Sequence, residues 1–304
     1  MKQRVAFTAG GSRSQNIENA LRLIESDIDL MGKSDLFIKV NFVNTEIQVA
    51  ATHVDGVRTL LQFLRERYTG KITIGESTLG PANRGFEKYG YLDLVNEFNV
   101  ELVDLNKGNW EILQLYDSEL RPMKVHFSRQ MLESDYLVAI GPPKTHDSVV
   151  VTLSVKNVVM GGVSYTHNDK RKIHQGPQVM NLNLYLMASK RLPELSIIDG
   201  FTAMEGDGPE YGDVVEWGIA TASCNAVAAD SLVAGLMGFD ISDIGYLWYL
   251  QKKGYGVGNT DQMEILGENS EKYRMKFKPH STFARQKQWQ DYRVNKLLNL
   301  QINK

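Results

Sequence analysis

Tyr136-Leu-Val-Ala-Ile-Gly-Pro-Pro-Lys-Thr-His146 decides how the rest of the chain is read. A short apolar run of strand length ends in a Pro-Pro turn, and the turn delivers Lys144 and His146. Four other runs repeat the pattern. Asp35–Lys39 leads into Asn41, Lys71–Gly75 into Glu76, Glu194–Ile198 into Asp199-Gly200, and Gly218–Ala222 into Cys224-Asn225. In a mostly parallel sheet the carboxyl ends share one edge, and ligands bind in the crevice beside it. Turn chemistry alone accounts for Asp199 and Asn225. It accounts poorly for Lys39, Glu76 and Lys144-Thr-His146. Lys39, Asn41, Glu76, Lys144, His146, Lys156 and Asp199 are therefore expected to converge on one pocket.

Helix patterns alternate with these strands. Ser14 is placed as an N-cap before Ile17, Leu21 and Ile24, and His53–Tyr68 carries Val57, Leu60, Leu61 and Leu64 on one face. The expected fold class is α/β, a mostly parallel sheet flanked by helices with long loops at the carboxyl edge. One α/β domain over residues 1–304 is the economical division. It holds an inserted basic loop region, 144–180, which reads as a long irregular and mobile stretch. A helical C-terminal segment, 281–300, carries Phe283, Trp289, Tyr292 and Leu297, which dock on the core or on a second subunit.

Composition narrows the function classes. The 304 residues are 42% hydrophobic and 23% charged, ordinary for a globular protein. A net charge of -2 and a pI near 6.3 give no global basic field, which argues against nucleic acid as the partner. No apolar run reaches the length that crosses a bilayer, so no membrane partner is expected. The opening Met-Lys-Gln-Arg-Val lacks a signal-peptide core, and the expected compartment is the cytoplasm. Cys224 is the single cysteine, which excludes a cysteine-ligated iron–sulfur cluster within one chain. A homo-oligomer stays open, as does any cofactor.

Charge is divided between two segments. From Lys144 to His174 there are five Lys/Arg, three His and two acids; from Asp199 to Glu216 there are six acids and no base. The cationic segment suits a small anionic molecule, with Lys as point charge and His as titrating donor. Lys170-Arg171-Lys172 reads as solvated surface, Lys170 facing water. The acidic segment is expected as a loop; its spacing matches no calcium loop, and a metal there is left open. The alternative pairs Asp199 and Glu205 with loop lysines, setting their pKa values. Phosphate-loop, nucleophile-elbow and His-Glu-x-x-His motifs are missing. Cys224 reads as a packed thiol, and His126 and His280 receive no role.

Several stretches resemble one known family, the domain-of-unknown-function-362 proteins. They are Ile38-Lys-Val-Asn41, Ala51-Thr-His53, Ile74-Gly-Glu-Ser77, Pro143-Lys-Thr-His146, Thr152-Leu-Ser-Val-Lys-Asn157, Ile198-Asp-Gly200, Met204-Glu-Gly-Asp-Gly-Pro209 and Ala226-Val-Ala-Ala-Asp230. The family often has Lys-Pro-Asn where Lys39-Val-Asn41 stands, Asp in place of Glu76, and an acid near Asn225. Some members carry ferredoxin-like cysteines. The layout is also distantly similar to nickel-pincer lactate racemases, which use Lys and His in an α/β site.

Residues and resemblance together give one set of expectations. His146, His174, Lys144 and Lys156 carry catalysis. Lys39, Asn41, His53, Glu76, Asn157, Asp199, Glu205 and Asp230 bind substrate or orient the catalytic groups. The expected function is an enzyme that acts on a small anionic metabolite by Lys/His acid–base chemistry, isomerase- or transferase-like. The alternative is a non-catalytic ligand-binding or redox-partner docking protein.

Overall fold

The structure, a computed structural model, describes residues 2–300. Its strands are β1 Gln3–Ala9, β2 Asp35–Lys39, β3 Lys71–Glu76, β4 Val100–Asp104, β5 Trp110–Tyr116, β6 Pro122–Ser128, β7 Tyr136–Gly141, β8 Lys144–His146, β9 Val150–Thr152, β10 Leu195–Glu205, β11 Asp213–Ser223 and β12 Met263–Gly267. The main sheet runs β12-β1-β11-β10-β7-β2-β3-β4, with β8 and β9 attached beside β10 and β5–β6 forming a separate hairpin. Neighbours β10, β7, β2, β3 and β4 are parallel, as are β1 and β12; β11 alone opposes both its neighbours. The fold is α/β with a mostly parallel sheet.

Strand alternation divides the core in two. Leu36 and Ile38 face one way, into a core with Ile17, Leu21, Val57 and Leu60 from helices Arg13–Leu23 and Val54–Arg65. Phe37 faces the other core, with Val155, Val158 and Val233 from helices Ser154–Gly162 and Ala226–Leu236. Local signals start the first two helices. Ser12, not Ser14, caps Arg13–Leu23 in a reciprocal capping box with Gln15, and the His53 ring accepts the N–H of Asp55 ahead of Val54–Arg65. On the second face the cap comes from a distance. Asp230 accepts the N–H groups of Ser154 and Val155, both at 2.9 Å, and so closes the start of the buried helix Ser154–Gly162.

Several sequence expectations are corrected here. β10 does not stop at Ile198; it passes through Asp199-Gly200, with a register shift before Thr202, and ends at Glu205. The six acids therefore do not share one loop, and Glu205 pairs in register with Asp213 across a hairpin. That turn is too short for the crossover a parallel neighbour needs, so β11 returns antiparallel and Cys224-Asn225 lies at the opposite edge from Lys39. The basic segment is also not irregular. It forms β8, β9 and a helix buried along its whole length, because Val149–Val155 and Val158–Met160 fill the second core. In the C-terminal segment only Phe283–Gln286 and Tyr292–Leu297 are helical. Trp289 docks against Trp248 and Tyr249, whereas Tyr292 stays 75% exposed.

Candidate functional site

Alternation that sends Phe37 into the second core sends Lys39 and Asn41 the same way, over the carboxyl edge. Lys39 is fully buried, a position ammonium groups occupy only when paired. Its Nζ donates to Glu76 Oε1 at 2.7 Å, to Asn157 Oδ1 at 3.2 Å and to the Val40 carbonyl. Glu76 ends β3, so parallel pairing with β2 brings it alongside; it also accepts the N–H of Phe42 and of Ser77, each at 2.7 Å. Asn157 Oδ1 takes a second hydrogen bond from Asn41 Nδ2 at 3.1 Å, and Asn41 Oδ1 accepts from Lys144, whose amine also reaches the Ala50 carbonyl. One polar chain thus runs from Glu76 through Lys39, Asn157 and Asn41 to Lys144.

Gly161 permits it. A Cβ there would overlap Lys39 Cε, so the buried lysine stem would have to shift. Gly161→Ala should destabilise the protein by about 1–3 kcal/mol, as overpacking a filled core does. Urea unfolding measures this, and an unchanged midpoint would show that the stem moves freely.

Beyond this chain opens a cavity of ≈ 420 Å³ lined by Lys39, Asn41, Glu76, His146, Lys156 and Asn157. His146 and Lys156 come from different elements, β8 and the buried helix. His146 Nε2 lies 2.8 Å from Lys156 Nζ, and its Nδ1 lies 2.9 Å from Asp147 Oδ1 and 3.0 Å from the Ser148 N–H. His174 and Lys170 also line the cavity. Lys170 does not face water, because its amine turns inward to the Ser77 carbonyl, which corrects the expectation for that residue. Lys144 lies just behind the wall.

Sequence reasoning missed several lining residues. Asp147 adjoins His146 and was legible from that adjacency. Tyr211 and Glu210 arrive on the β10–β11 turn, which Thr145 fixes by donating to the Gly206 carbonyl at 2.9 Å. His280 arrives on the C-terminal segment, held where the Lys278 N–H meets Glu205 and the Ser281 N–H meets Asp207. No local signal marks such an approach.

Other expected residues lie elsewhere. Asp199 and His53 line a second cavity, ≈ 450 Å³, with Arg13 and Thr202. Asp199 shares strand parity with Leu195 and Ile197 and so points into the first core, away from Lys39. Arg13 Nε pairs with it at 2.9 Å. Convergence of Asp199 with the lysines is therefore corrected. Glu205 anchors Lys278, and Asp230 caps a helix; neither lines the lysine cavity.

Burial shapes the electrostatics. It pushes Lys144 down to about 7, helped by the charge of Lys156. Lys170 falls to about 7 and Lys156 to about 8, again through burial, which Asp147 opposes at Lys156. His146 drops to about 3 by burial and then by the Lys156 charge, so its imidazole is neutral at pH 7. His174 shifts down for the same reasons. Burial pushes Cys224 up to about 11, consistent with a packed thiol. Among the described residues no three His, Cys, Asp or Glu side chains are placed to hold a metal ion.

The lysines give a pH prediction with a definite sign. Folded pKa values near 7–8, against 10.5 unfolded, mean that the unfolded chain binds more protons between the two. Stability should then rise from about pH 7 to about pH 9, below the range in which Cys224 opposes it. Urea midpoints across that window test this, and a falling midpoint would refute the lysine assignment.

A thylakoid-associated protein of Synechocystis sp. is 26% identical over 196 residues, covering 64% of this chain and 59% of that protein. Among solved structures, the lactate racemase apoprotein of Thermoanaerobacterium thermosaccharolyticum matches with a TM-score of 0.47 at 14% identity, over 78% of this chain and 57% of that one. A Thermotoga maritima protein matches with a TM-score of 0.40 at 15% identity, over 60% of this chain and 43% of its own. No helix among the described residues is long and apolar enough to cross a membrane. Residues 36–235, more than half of the chain and including Lys39, Glu76, His146 and Lys156, match the family described as Domain of unknown function (DUF362), and the chain belongs to it.

Proposed function

We propose that the protein is an enzyme that acts on a small anionic metabolite by Lys/His acid–base chemistry, in an isomerase- or transferase-like reaction. The observation that carries this reading is the His146 ring nitrogen held 2.8 Å from the Lys156 amine inside a cavity. The Lys156 charge helps to hold the ring pKa down, so a proton that passes from the amine to Nε2 removes part of that opposition, and the amine near pKa 8 can return a proton. Lys170 and His174 face the same space and attract the anion, while Lys39, Glu76, Asn41, Asn157 and Lys144 form the scaffold beneath it. Asp147, Asp207 and Glu210 also line the cavity, so the anionic end belongs beside the lysines. Asp199, His53, Glu205 and Asp230 have structural parts in this reading. Three histidines (146, 174 and 280) bordering one cavity favour an enzyme over a docking protein, which would present its basic groups on a flat face.

The test is a metabolite extract incubated with purified protein and followed by mass spectrometry. At least one anionic metabolite should be depleted by the native protein and spared by His146→Asn. Retention of a bound metabolite without turnover would instead favour the binding-protein reading.

A further inference from the structure

Lys156 differs from the other lysines in its partners. Lys39 has a carboxylate against it, and Lys144 and Lys170 donate to carbonyl oxygens. The Lys156 amine has the imidazole nitrogen of His146, and that ring has Asp147 behind it. Nucleophile, base and orienting carboxylate in line is the arrangement that activates a side chain for covalent chemistry. The ring can hold its proton in two places. With the proton on Nδ1 facing Asp147, Nε2 is free to take one from the ammonium. With Nδ1 accepting the Ser148 N–H, Nε2–H points at a neutral amine. A proton taken by Nε2 from the ammonium makes the ring an imidazolium, whose Nδ1–H faces Asp147.

From this geometry we propose that Lys156 is a nucleophile that forms an imine with the carbonyl carbon of a small anionic aldehyde or ketone, such as a 2-oxo acid, with His146 as its base. The inference rests on the anion-site reading above and names its substrate class. His146 Nε2 removes one proton from the ammonium. The nitrogen lone pair forms the C–N bond, the carbonyl π pair moves to oxygen, and the oxygen takes that proton back. The carbinolamine nitrogen then gives a second proton to His146, which passes it to the hydroxyl. Water departs and a protonated imine remains, so ammonium and carbonyl have become iminium and water. The substrate carboxylate lies toward Lys170 and His174. An iminium draws electrons from the adjacent carbon, which suits proton abstraction there and thus an isomerisation. Lys156 opens into the cavity although only 6% of its surface is accessible, so a small carbonyl compound can reach it and bulk water has little access.

Reductive trapping tests the proposal. Native protein is incubated at neutral pH with glyoxylate and sodium cyanoborohydride, and adducts are located by peptide mass spectrometry. One adduct per chain is expected, at Lys156, outpacing every exposed lysine. His146→Asn, confirmed folded by circular dichroism, should keep the amine and slow trapping at least about tenfold, since a positioned base contributes that or more. Calorimetry with oxalate, which carries no reactive carbonyl, runs alongside. Oxalate binding with label spread over surface lysines, or sited at Lys170, would overturn the imine and leave the anion site standing. Failure of both would remove the anion site as well.

Discussion

Glu76→Ala should cost about 3–5 kcal/mol of stability, the range for removing one partner of a buried ion pair. Lys39 is completely buried and Glu76 is its carboxylate partner, so the substitution strands an ammonium in a low-dielectric site. Burial already depresses Lys39, and the Glu76 charge is what opposes that. The N–H groups of Phe42 and Ser77 lose their acceptor at the same time. Replacing both partners, Lys39→Met with Glu76→Leu, should recover part of the loss, because the stranded charge disappears while the two N–H groups stay unmet. Urea unfolding of the native protein and the two variants measures this. A double variant no more stable than Glu76→Ala would mean that the N–H groups, not the lysine, carry the cost.

His146→Asn should lower turnover by 10²–10⁴-fold, roughly what a positioned acid–base group supplies, with little change in stability. The ring accepts the Ser148 N–H and meets Lys156, and Asn preserves a polar contact at Nδ1 but supplies no titrating nitrogen at Nε2. The readout is the depletion rate of the metabolite found by the extract screen. Its pH profile in the native protein should change near pH 8, where Lys156 titrates. A variant retaining full turnover would place the base elsewhere, with His174 next to examine because it borders the same cavity.

Much of this site was legible because its residues sit at ends of strands that the sequence marks plainly. Short, largely apolar runs define β2, β3 and β7, with Gly70 ahead of β3 and Pro142-Pro143 after β7, and pairing them in parallel brings Lys39, Glu76 and the Lys144–His146 strand to one edge. Lys156 was legible from the apolar run before it. Less visible were residues brought in by distant chain. His280 and Tyr211 depend on a C-terminal segment and a hairpin turn packing against β8, and neither contact leaves a local pattern.

The sequence by itself determined the α/β class, the strands that build the edge, and the two charges that form the buried pair, because burial periodicity and turn residues act over a few neighbours. Only the tertiary structure decided direction and face. β11 runs backward because a short acidic turn joins it to β10, which moves Asn225 to the far edge. Asp199 occupies a strand of the right sheet but points through the opposite face, where it meets Arg13 instead of the lysines. Lys170 lies in a run of charge that looks solvated, yet the fold of its loop turns the amine to the Ser77 carbonyl. A strand end fixes a residue's height in the sheet; which core its side chain enters depends on register and alternation, and those are settled by the neighbours it pairs with.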